Sequence, residues 1–285
     1  VSPNNEMLAY SVDLVSRREY TIHVKSLISD EVFSDQIENT TGGVTWANDN
    51  KTLFYTKQDP VTLRSNQIFR HTIGTNQSAD KLVYEEKDDT FGCSVYKTKS
   101  SKYLMIQSWQ TLSSEVRFLD ADNPTGEWKV ILPREENHEY SANHYGDHFY
   151  ITTNDNAKNF RLVKAPVDNT AKENWEEVIA HRDDVLLEGI DIFKNNLVVS
   201  ERENGLTGIR IIKWADKSEH YIEFNDPAYM SYTSSNLEFD TDILRYGYTS
   251  MTTPNSVYDY NMSTKEQELK KQSEVIDDSF KPENY

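Results

Sequence analysis

The sequence is poor in cysteine, glycine and long apolar runs, and each shortage excludes a class of protein. Among its 285 residues there is a single cysteine, Cys93, so no disulfide framework can form within the chain. A lone cysteine fits a reducing compartment, and we expect a cytoplasmic location. No apolar run approaches the roughly 20 residues that a membrane-spanning helix needs, so we expect no membrane partner. The ten glycines form neither G-x-x-x-x-G-K-[ST] nor G-x-G-x-x-G, which argues against a phosphate-binding loop.

Positive charge is also in short supply. The chain has 30 Lys and Arg against 47 Asp and Glu, a formal net charge of −17, and its mean hydropathy is −0.74. Nucleic acid is therefore excluded as a partner, because its phosphates would be repelled. A negative field instead raises the local concentration of cationic ligands.

Alternation of apolar and polar residues with a period of two runs through the whole chain. Examples are Leu197 with Val199, Ile209 with Ile211, and Leu244 with Tyr246. This period is typical of half-buried strands, and sustained helical spacing is absent, so the sequence predicts an all-β fold. Two short segments, Asn174–Ile179 and Glu266–Lys271, fit a helix and a strand edge equally well.

The strands recur at long range. Strands of similar character begin near Leu8, Leu53, Leu104, Phe149, Leu197 and Leu244, with steps of 45, 51, 45, 48 and 47 residues. Four strands in each 45–50 residues predict a β-propeller of four-stranded antiparallel blades, whereas a β-sandwich, the alternative, would not explain this recurrence. We divide the chain into blade units at about 1–42, 43–90, 91–137, 138–184, 185–227 and 228–276, with Val1 entering the first unit late.

Motifs for catalysis or for metal binding are missing or weak. There is no G-x-S-x-G, hence no nucleophile elbow and no catalytic residue to assign. His138 and His144, with His148 nearby, resemble a zinc motif, but their spacing does not suit H-E-x-x-H and the segment is predicted to be a strand. Cys93 has no local basic partner and is predicted to be a small strand residue. We expect neither a metal nor a cofactor.

Charged residues concentrate in the connections that a propeller would place at one mouth. They include EEKDDT, REENHE and AHRDDV between units, and DLVSRREY, KQDPVTLRSNQ and ERENGLTG within units. Carboxylate pairs such as Glu85 and Glu86 are ordinarily solvated. The functional alternative is a negative ring that draws cationic peptides into a tunnel. The arginines interspersed there are Arg17, Arg18, Arg64, Arg134, Arg182 and Arg202.

Several segments resemble the prolyl oligopeptidase family. Residues 67–75, QIFRHTIGT, running on to DKLVYEE at 80–86, resemble its second-blade sequence, and 246–254, YGYTSMTTP, resembles its YSSMTTP stretch. The opening VSPNN with Leu8-Ala9-Tyr10 resembles a blade start. The oligopeptidase B branch is indicated by Ser16-Arg17-Arg18, Pro60-Val61-Thr62-Leu63, His138-Glu139-Tyr140-Ser141 and Leu187-Glu188-Gly189.

The resemblance implies a seven-bladed propeller that caps an α/β-hydrolase domain with a Ser-Asp-His triad, in an enzyme that cuts short peptides after Lys or Arg. We expect the hydrolase domain and one blade to lie outside this sequence, with 277–285 as the start of a linker, and the chain alone to be inactive. The partners would be that hydrolase domain and short cationic peptides. We name as residues for interdomain contact or substrate gating Arg17, Arg18, Asp59, Arg64, Glu201 and Arg202. Arg17 and Arg18 come first, because tandem arginines suit bidentate pairing with carboxylates.

Two other functions stay open at this point. One is a stand-alone propeller that acts as a scaffold for cationic peptides or proteins, although WD40 and kelch repeats are not found. The other is a sialidase-like glycosidase, whose repeated Ser-x-Asp-x-Gly turn is missing.

Overall fold

The computed structural model describes residues 1–276, and the predicted linker at 277–285 lies outside the described residues. The chain groups into two compact units. The first consists of Val1–Phe149 and Ala165–Trp175, and the second of Tyr150–Lys164 and the described residues from Glu176 onward.

Within residues 1–276, twenty-three strands form six antiparallel sheets in which strands adjacent in the chain pair. The first sheet has three strands: β1 (Met7–Val12), β2 (Tyr20–Ser26) and β3 (Val32–Thr40). The next two have four each: β4 (Val44–Trp46), β5 (Thr52–Gln58), β6 (Ser65–Thr72) and β7 (Lys81–Glu85); then β8 (Gly92–Lys97), β9 (Tyr103–Gln110), β10 (Ser113–Asp120) and β11 (Lys129–Leu132).

The remaining three sheets also have four strands. They are β12 (Tyr140–Tyr145), β13 (His148–Thr153), β14 (Arg161–Pro166) and β15 (Glu176–Ile179); β16 (Val185–Ile192), β17 (Asn196–Glu203), β18 (Leu206–Lys213) and β19 (Glu219–Tyr221); and β20 (Tyr229–Thr233), β21 (Ile243–Ser250), β22 (Ser256–Asn261) and β23 (Gln267–Gln272). The helices found in residues 1–276 are two 3₁₀ turns, Gln77–Ala79 and Lys172–Asn174. None is long and apolar enough to cross a membrane.

The position of a strand in its sheet explains its composition. The second strand β5 has a paired strand on each side, and its residues from Thr52 to Thr56 are all buried. The outer strand β23, QELKKQ, is exposed at every position. Charged side chains on such an open edge discourage pairing with another chain. The prediction of an all-β fold is confirmed.

Bulges recur where a third strand meets its outer neighbour. The register shifts at Ile68/Phe69 in β6, at Val116/Arg117 in β10, at Leu162/Val163 in β14 and at Val257/Tyr258 in β22. A bulge increases local twist, so the outer strands turn away from the plane of the inner ones.

Apolar side chains join neighbouring sheets within each unit. In the first unit, Ile22 and Val24 of β2 pack with Leu53 and Tyr55 of β5, and Phe54 and Ile68 pack with residues of the third sheet. In the second unit one cluster joins the last two sheets through Ile209, Ile211, Leu244, Tyr246 and others. The second sheet therefore buries both of its faces, one against the first sheet and the other against the third.

The structure resolves one ambiguity of the sequence interpretation in favour of strands and corrects one detail. Both ambiguous segments contain strands, since a 3₁₀ turn precedes β15 at 174–179 and β23 covers most of 266–271. The sequence predicts a loop at ERENGLTG, whereas Glu201 and Arg202 lie inside β17 and the turn is confined to Asn204 and Gly205. Glu201, Arg202 and Glu203 still pair with residues of β18, although charged residues are more typical of loops. A prediction from composition therefore begins the turn too early.

Candidate functional site

The turn between β1 and β2 carries Arg17 and Arg18. The Asp13 carboxylate accepts hydrogen bonds from the backbone N–H groups of Val15, at 3.0 Å, and Arg18, at 2.7 Å. Arg18 adopts a left-handed φ of 60°. The turn is therefore fixed by its own backbone contacts, and both arginine side chains are exposed, with no ion pair to any residue of 1–276.

Asp59 organises the next loop of the first unit, between β5 and β6. Its Oδ1 accepts hydrogen bonds from the N–H groups of Val61, at 2.9 Å, and Thr62, at 2.8 Å. These backbone donors lower the pKa of Asp59. The loop also touches the arginine turn, because Gln58 Nε2 donates to the Arg18 carbonyl at 2.7 Å. The structure thus brings Asp59 and Arg18 onto adjoining loops, but the Asp59 carboxylate serves its own turn.

Arg64 clamps the connection between β7 and β8. Its Nη1 donates to the carbonyls of Glu86, Asp88 and Phe91 at 3.3, 2.9 and 2.8 Å. A guanidinium that satisfies three carbonyls of one loop has a structural role there.

One carboxylate that we expected to be solvated is buried. Glu86 is 4% exposed and accepts hydrogen bonds from Arg134 Nη2 at 2.5 Å and from the Tyr84 hydroxyl at 2.8 Å. The Arg134 guanidinium also lies 3.6 Å from the centre of the Phe91 ring. Burial would raise the pKa of Glu86, but the hydrogen bonds from Arg134 and Tyr84 outweigh it and lower the pKa. The expectation of a solvated pair is wrong for Glu86, because loop proximity in sequence does not show which side chain turns inward.

In the second unit, Glu201 is the centre of a buried ionic network. Its Oε1 accepts hydrogen bonds from Arg182 and, at 2.6 Å, from Arg210 Nη2, while Oε2 accepts one from the Tyr221 hydroxyl at 2.7 Å. Arg210 also reaches Glu219 at 3.2 Å. The Glu201 side chain is 4% exposed and that of Arg210 is 10% exposed. A carboxylate so enclosed can hold strands together, but it is not available to a ligand in this arrangement.

Arg202, the neighbour of Glu201 in β17, points to the opposite side because strand side chains alternate. It is exposed and its Nε donates to Glu188 at 2.6 Å. Arg134, Arg182 and Arg202 pair with carboxylates of their own units, and Arg64 binds backbone carbonyls. Among the arginines predicted at the mouth, this leaves Arg17 and Arg18, whose side chains form neither an ion pair nor a hydrogen bond in the part of the chain described.

The histidine segment does not form a metal site. His144 Nδ1 lies 2.8 Å from the Ser100 hydroxyl, and its ring packs against Tyr103. Burial lowers the pKa of His144. Within residues 1–276 no group of three or more His, Cys, Asp or Glu side chains is arranged to hold a metal ion.

Sequence reasoning missed a second buried network, in the first unit. His71 Nδ1 lies 2.7 Å from Asp80 Oδ1 and its Nε2 lies 2.9 Å from Asp35 Oδ1. The Tyr55 hydroxyl donates to Asp80 at 2.8 Å, and the Gly74 N–H donates to Asp35 at 2.6 Å. Gly74 has a φ of +85°, which a side chain would strain. Burial alone would lower the pKa of His71, but the hydrogen bonds and charges of Asp80 and Asp35 raise it, which favours a proton on each ring nitrogen.

The buried cysteine offers no nucleophile. Cys93 is fully buried, and burial raises its thiol pKa to about 12. A thiol needs a lowered pKa to react at neutral pH, so Cys93 is a core residue.

Comparison with known proteins shows which family has this sequence and fold. The sequence model for "Prolyl oligopeptidase, N-terminal beta-propeller domain" matches residues 1–273. The chain is 44% identical over 276 residues to dipeptidyl aminopeptidase BI of Pseudoxanthomonas mexicana and 30% identical over 271 residues to protease 2 of Moraxella lacunata. These alignments cover 96% and 94% of the chain but 38% of each relative, so the chain spans well under half of their length.

Solved structures give the same result. Oligopeptidase B from Leishmania major superposes with a TM-score of 0.90 at 29% identity, over 99% of this chain and 41% of that one. Oligopeptidase B from Trypanosoma brucei gives a TM-score of 0.90 at 27% identity, again over 99% and 41%. These matches confirm the predicted propeller fold. The chain therefore belongs to the prolyl oligopeptidase family, of which it carries the N-terminal β-propeller domain.

Proposed function

We propose that the chain is the non-catalytic propeller of a serine oligopeptidase that cleaves short peptides after Lys or Arg. The observation that carries the proposal is the match to oligopeptidase B over 99% of this chain but only 41% of that enzyme. The partner would be an α/β-hydrolase catalytic domain of the same polypeptide. In this proposal residues 1–276 make one propeller domain of six blade units, and 277–285 begin the linker.

The physical role would be that of a lid and size filter. A propeller that covers a catalytic centre excludes folded proteins and water, and admits short peptides when the domains separate. Contacts across the interface would bias the balance between open and closed states. Arg17 and Arg18 suit such contacts, because their exposed side chains form no ion pair with residues 1–276. A cytoplasmic location is part of the proposal and is supported by the single, buried cysteine.

A second candidate is a dipeptidyl aminopeptidase, which removes two residues from a free amino end. It is favoured by the 44% identity to dipeptidyl aminopeptidase BI, which exceeds the 30% identity to protease 2. The two candidates share the fold and differ in whether the substrate needs a free amino group.

The test is an assay on two arginine reporter peptides, one with a blocked and one with a free amino end. The 285-residue chain alone should turn over neither. Joined to its catalytic domain, it should cleave the blocked reporter if it serves an endopeptidase, and only the free one if it serves a dipeptidyl aminopeptidase. Turnover of neither reporter by the joined protein would contradict both candidates. It would favour a propeller that acts as a binding scaffold.

A further inference from the structure

Two cavities of the second unit differ sharply in the charge of their walls. The larger, of about 630 Å³, is lined by Lys164, Arg182, Arg210 and Lys217 together with three glutamates. The smaller, of about 520 Å³, is lined by three acidic residues, Glu201, Glu203 and Glu223, and by three aromatic ones, Tyr221, Phe224 and Tyr229. Among the described residues no Lys, Arg or His lines this smaller cavity, which we call the acidic cavity.

The Glu201 network forms the wall between the two cavities. Glu201 and Tyr221 line the acidic cavity, while Arg182 and Arg210 line the larger one. Since both guanidinium groups bind Glu201, this carboxylate is already neutralised. The charge open to a ligand must therefore come from the other two glutamates.

Glu203 and Glu223 have exposed side chains and form no ion pair with any residue between 1 and 276. Glu203 ends β17, opposite Val185 of β16 and Leu206 of β18. Glu223 follows β19 and directly precedes Phe224. Two unpaired carboxylates beside an aromatic wall create a local field that favours a cation.

Two rings of the aromatic wall, Phe224 and Tyr229, pack against each other and against Tyr248. The Phe224 ring stacks on Tyr248 at 5.1 Å and lies 4.8 Å from the Tyr229 ring, and Tyr248 is fixed by a hydrogen bond to Asp226. Ring faces attract cations, most often a guanidinium, which can lie flat against them. The volume falls within the range of about 300–1,000 Å³ that ligand pockets usually have.

We propose that the acidic cavity binds the guanidinium group of an arginine side chain in a peptide. Glu203 and Glu223 accept its N–H groups and the Phe224 and Tyr229 rings contact its plane. The larger cavity, with its four cationic side chains, would repel the same group. This inference goes beyond the proposed function and needs no catalytic domain. A failed binding test would leave the peptidase proposal standing, and a failed peptidase assay would leave the binding proposal standing.

The experiment is calorimetric titration of the 285-residue chain with N-acetyl-arginine amide. N-acetyl-citrulline amide, which has nearly the same shape without the charge, is the matched ligand. The arginine probe should bind saturably and at least about tenfold more tightly, because a hydrogen bond to a charged group contributes about 1.5–3 kcal/mol. High salt should weaken the binding.

Variants assign the binding to this cavity. Glu203→Gln and Glu223→Gln should each weaken the arginine probe about tenfold, and Phe224→Leu about threefold. Glu127→Gln, which removes an exposed glutamate of the first unit, should leave binding unchanged. The exposed positions of both cavity glutamates favour retention of the fold, and thermal unfolding verifies it. Equal binding of the citrulline probe, or unchanged binding in both glutamate variants, would overturn the proposal.

Discussion

The two units are each held by a buried ionic network, and the networks differ in which member can lose its charge. In the first unit His71 lies between Asp35 and Asp80, with all three side chains at most 2% exposed. In the second unit Glu201 lies between two arginines, one of them 36% exposed. An imidazolium can lose its proton near neutral pH, whereas a guanidinium remains charged. We therefore expect the stability of the first unit to depend on pH near neutrality and that of the second unit not to depend on it there.

The networks also differ in what they join. Asp35 of β3 and His71 of β6 belong to different sheets, so the first network fastens two sheets together. Glu201, Arg210 and Tyr221 occupy β17, β18 and β19 of one sheet, and Arg182 lies in the connection that leads into the same sheet at β16. The second network therefore mainly reinforces strands that the backbone already pairs. We therefore expect a substitution in the first network to lower the free energy of unfolding more than a substitution in the second.

The largest effect is expected for His71→Leu. The change leaves Asp35 and Asp80 buried without their cation, and Asp35 Oδ2 already has no hydrogen-bond partner within residues 1–276. Breaking a buried ion pair from one side costs about 3–5 kcal/mol, and we expect a loss of that size in the free energy of unfolding. Urea unfolding measures it.

His23→Gln is the matched control for this substitution. His23 lies in β2 of the same unit, half-buried, with its ring stacked on Tyr10. We expect it to cost less than about 1 kcal/mol. If His71→Leu were no more harmful than this control, the network would have no role in joining the sheets.

A smaller loss is expected for Glu201→Gln. The arginines lose their common carboxylate, but Arg182 is partly solvated and Arg210 keeps Glu219 at 3.2 Å. We expect urea unfolding to show a loss of about 2 kcal/mol in the free energy of unfolding, which is within the range for buried polar groups left without a partner. Glu203→Gln, at an exposed position of the same strand, should stay within about 0.5 kcal/mol. Equal losses in Glu201→Gln and Glu203→Gln would remove the second network from the comparison.

The pH dependence of unfolding separates the networks without removing either. Burial alone would lower the pKa of His71, but the hydrogen bonds and charges of Asp80 and Asp35 outweigh it and raise the pKa above its ordinary value of 6.5. The stabilisation is therefore fully present below the unfolded-state pKa and is lost as the pH rises through the folded-state value. The Tyr55 hydroxyl, which also faces Asp80, has a raised pKa and stays neutral over this range.

We expect the free energy of unfolding to fall as the pH rises above neutrality, both in the parent chain and in Glu201→Gln. The fall should be absent in His71→Leu, because no imidazole remains to titrate. Urea unfolding at a series of pH values tests it. If the free energy of unfolding of His71→Leu still fell with rising pH, the pH dependence would belong to another titratable group.

These networks also mark where sequence reasoning stops. Strands such as β17 and β18 could be predicted, because Leu197, Val199, Ile209 and Ile211 alternate, and one apolar face is enough to define a strand. The long-range recurrence of strands likewise predicted the propeller. Alternation shows which side of a strand is buried, but not which distant side chain meets it there.

Side-chain contacts between different sheets could therefore not be predicted from the sequence. His71 stood inside the segment that identified the family, yet its partner Asp35 is 36 residues away and on another sheet. Glu201 and Arg202 were grouped as neighbours of one loop, whereas strand alternation sends one inward and the other outward. The acidic cavity combines a hairpin, an inter-sheet connection and the start of β20, and no local pattern relates these three segments.

The smallest effect is expected where no network exists, at Arg17 and Arg18. Their side chains are exposed and form no ion pair within the described residues, so Arg17→Ala and Arg18→Ala should each change the unfolding free energy by less than about 0.5 kcal/mol. In the protein joined to its catalytic domain, Arg18→Ala should instead alter kcat or KM and the domain closure seen by X-ray scattering. If kinetics and closure both stay unchanged there, the turn at Asp13–Glu19 is only a solvated loop, and the exposed arginines have no part in gating.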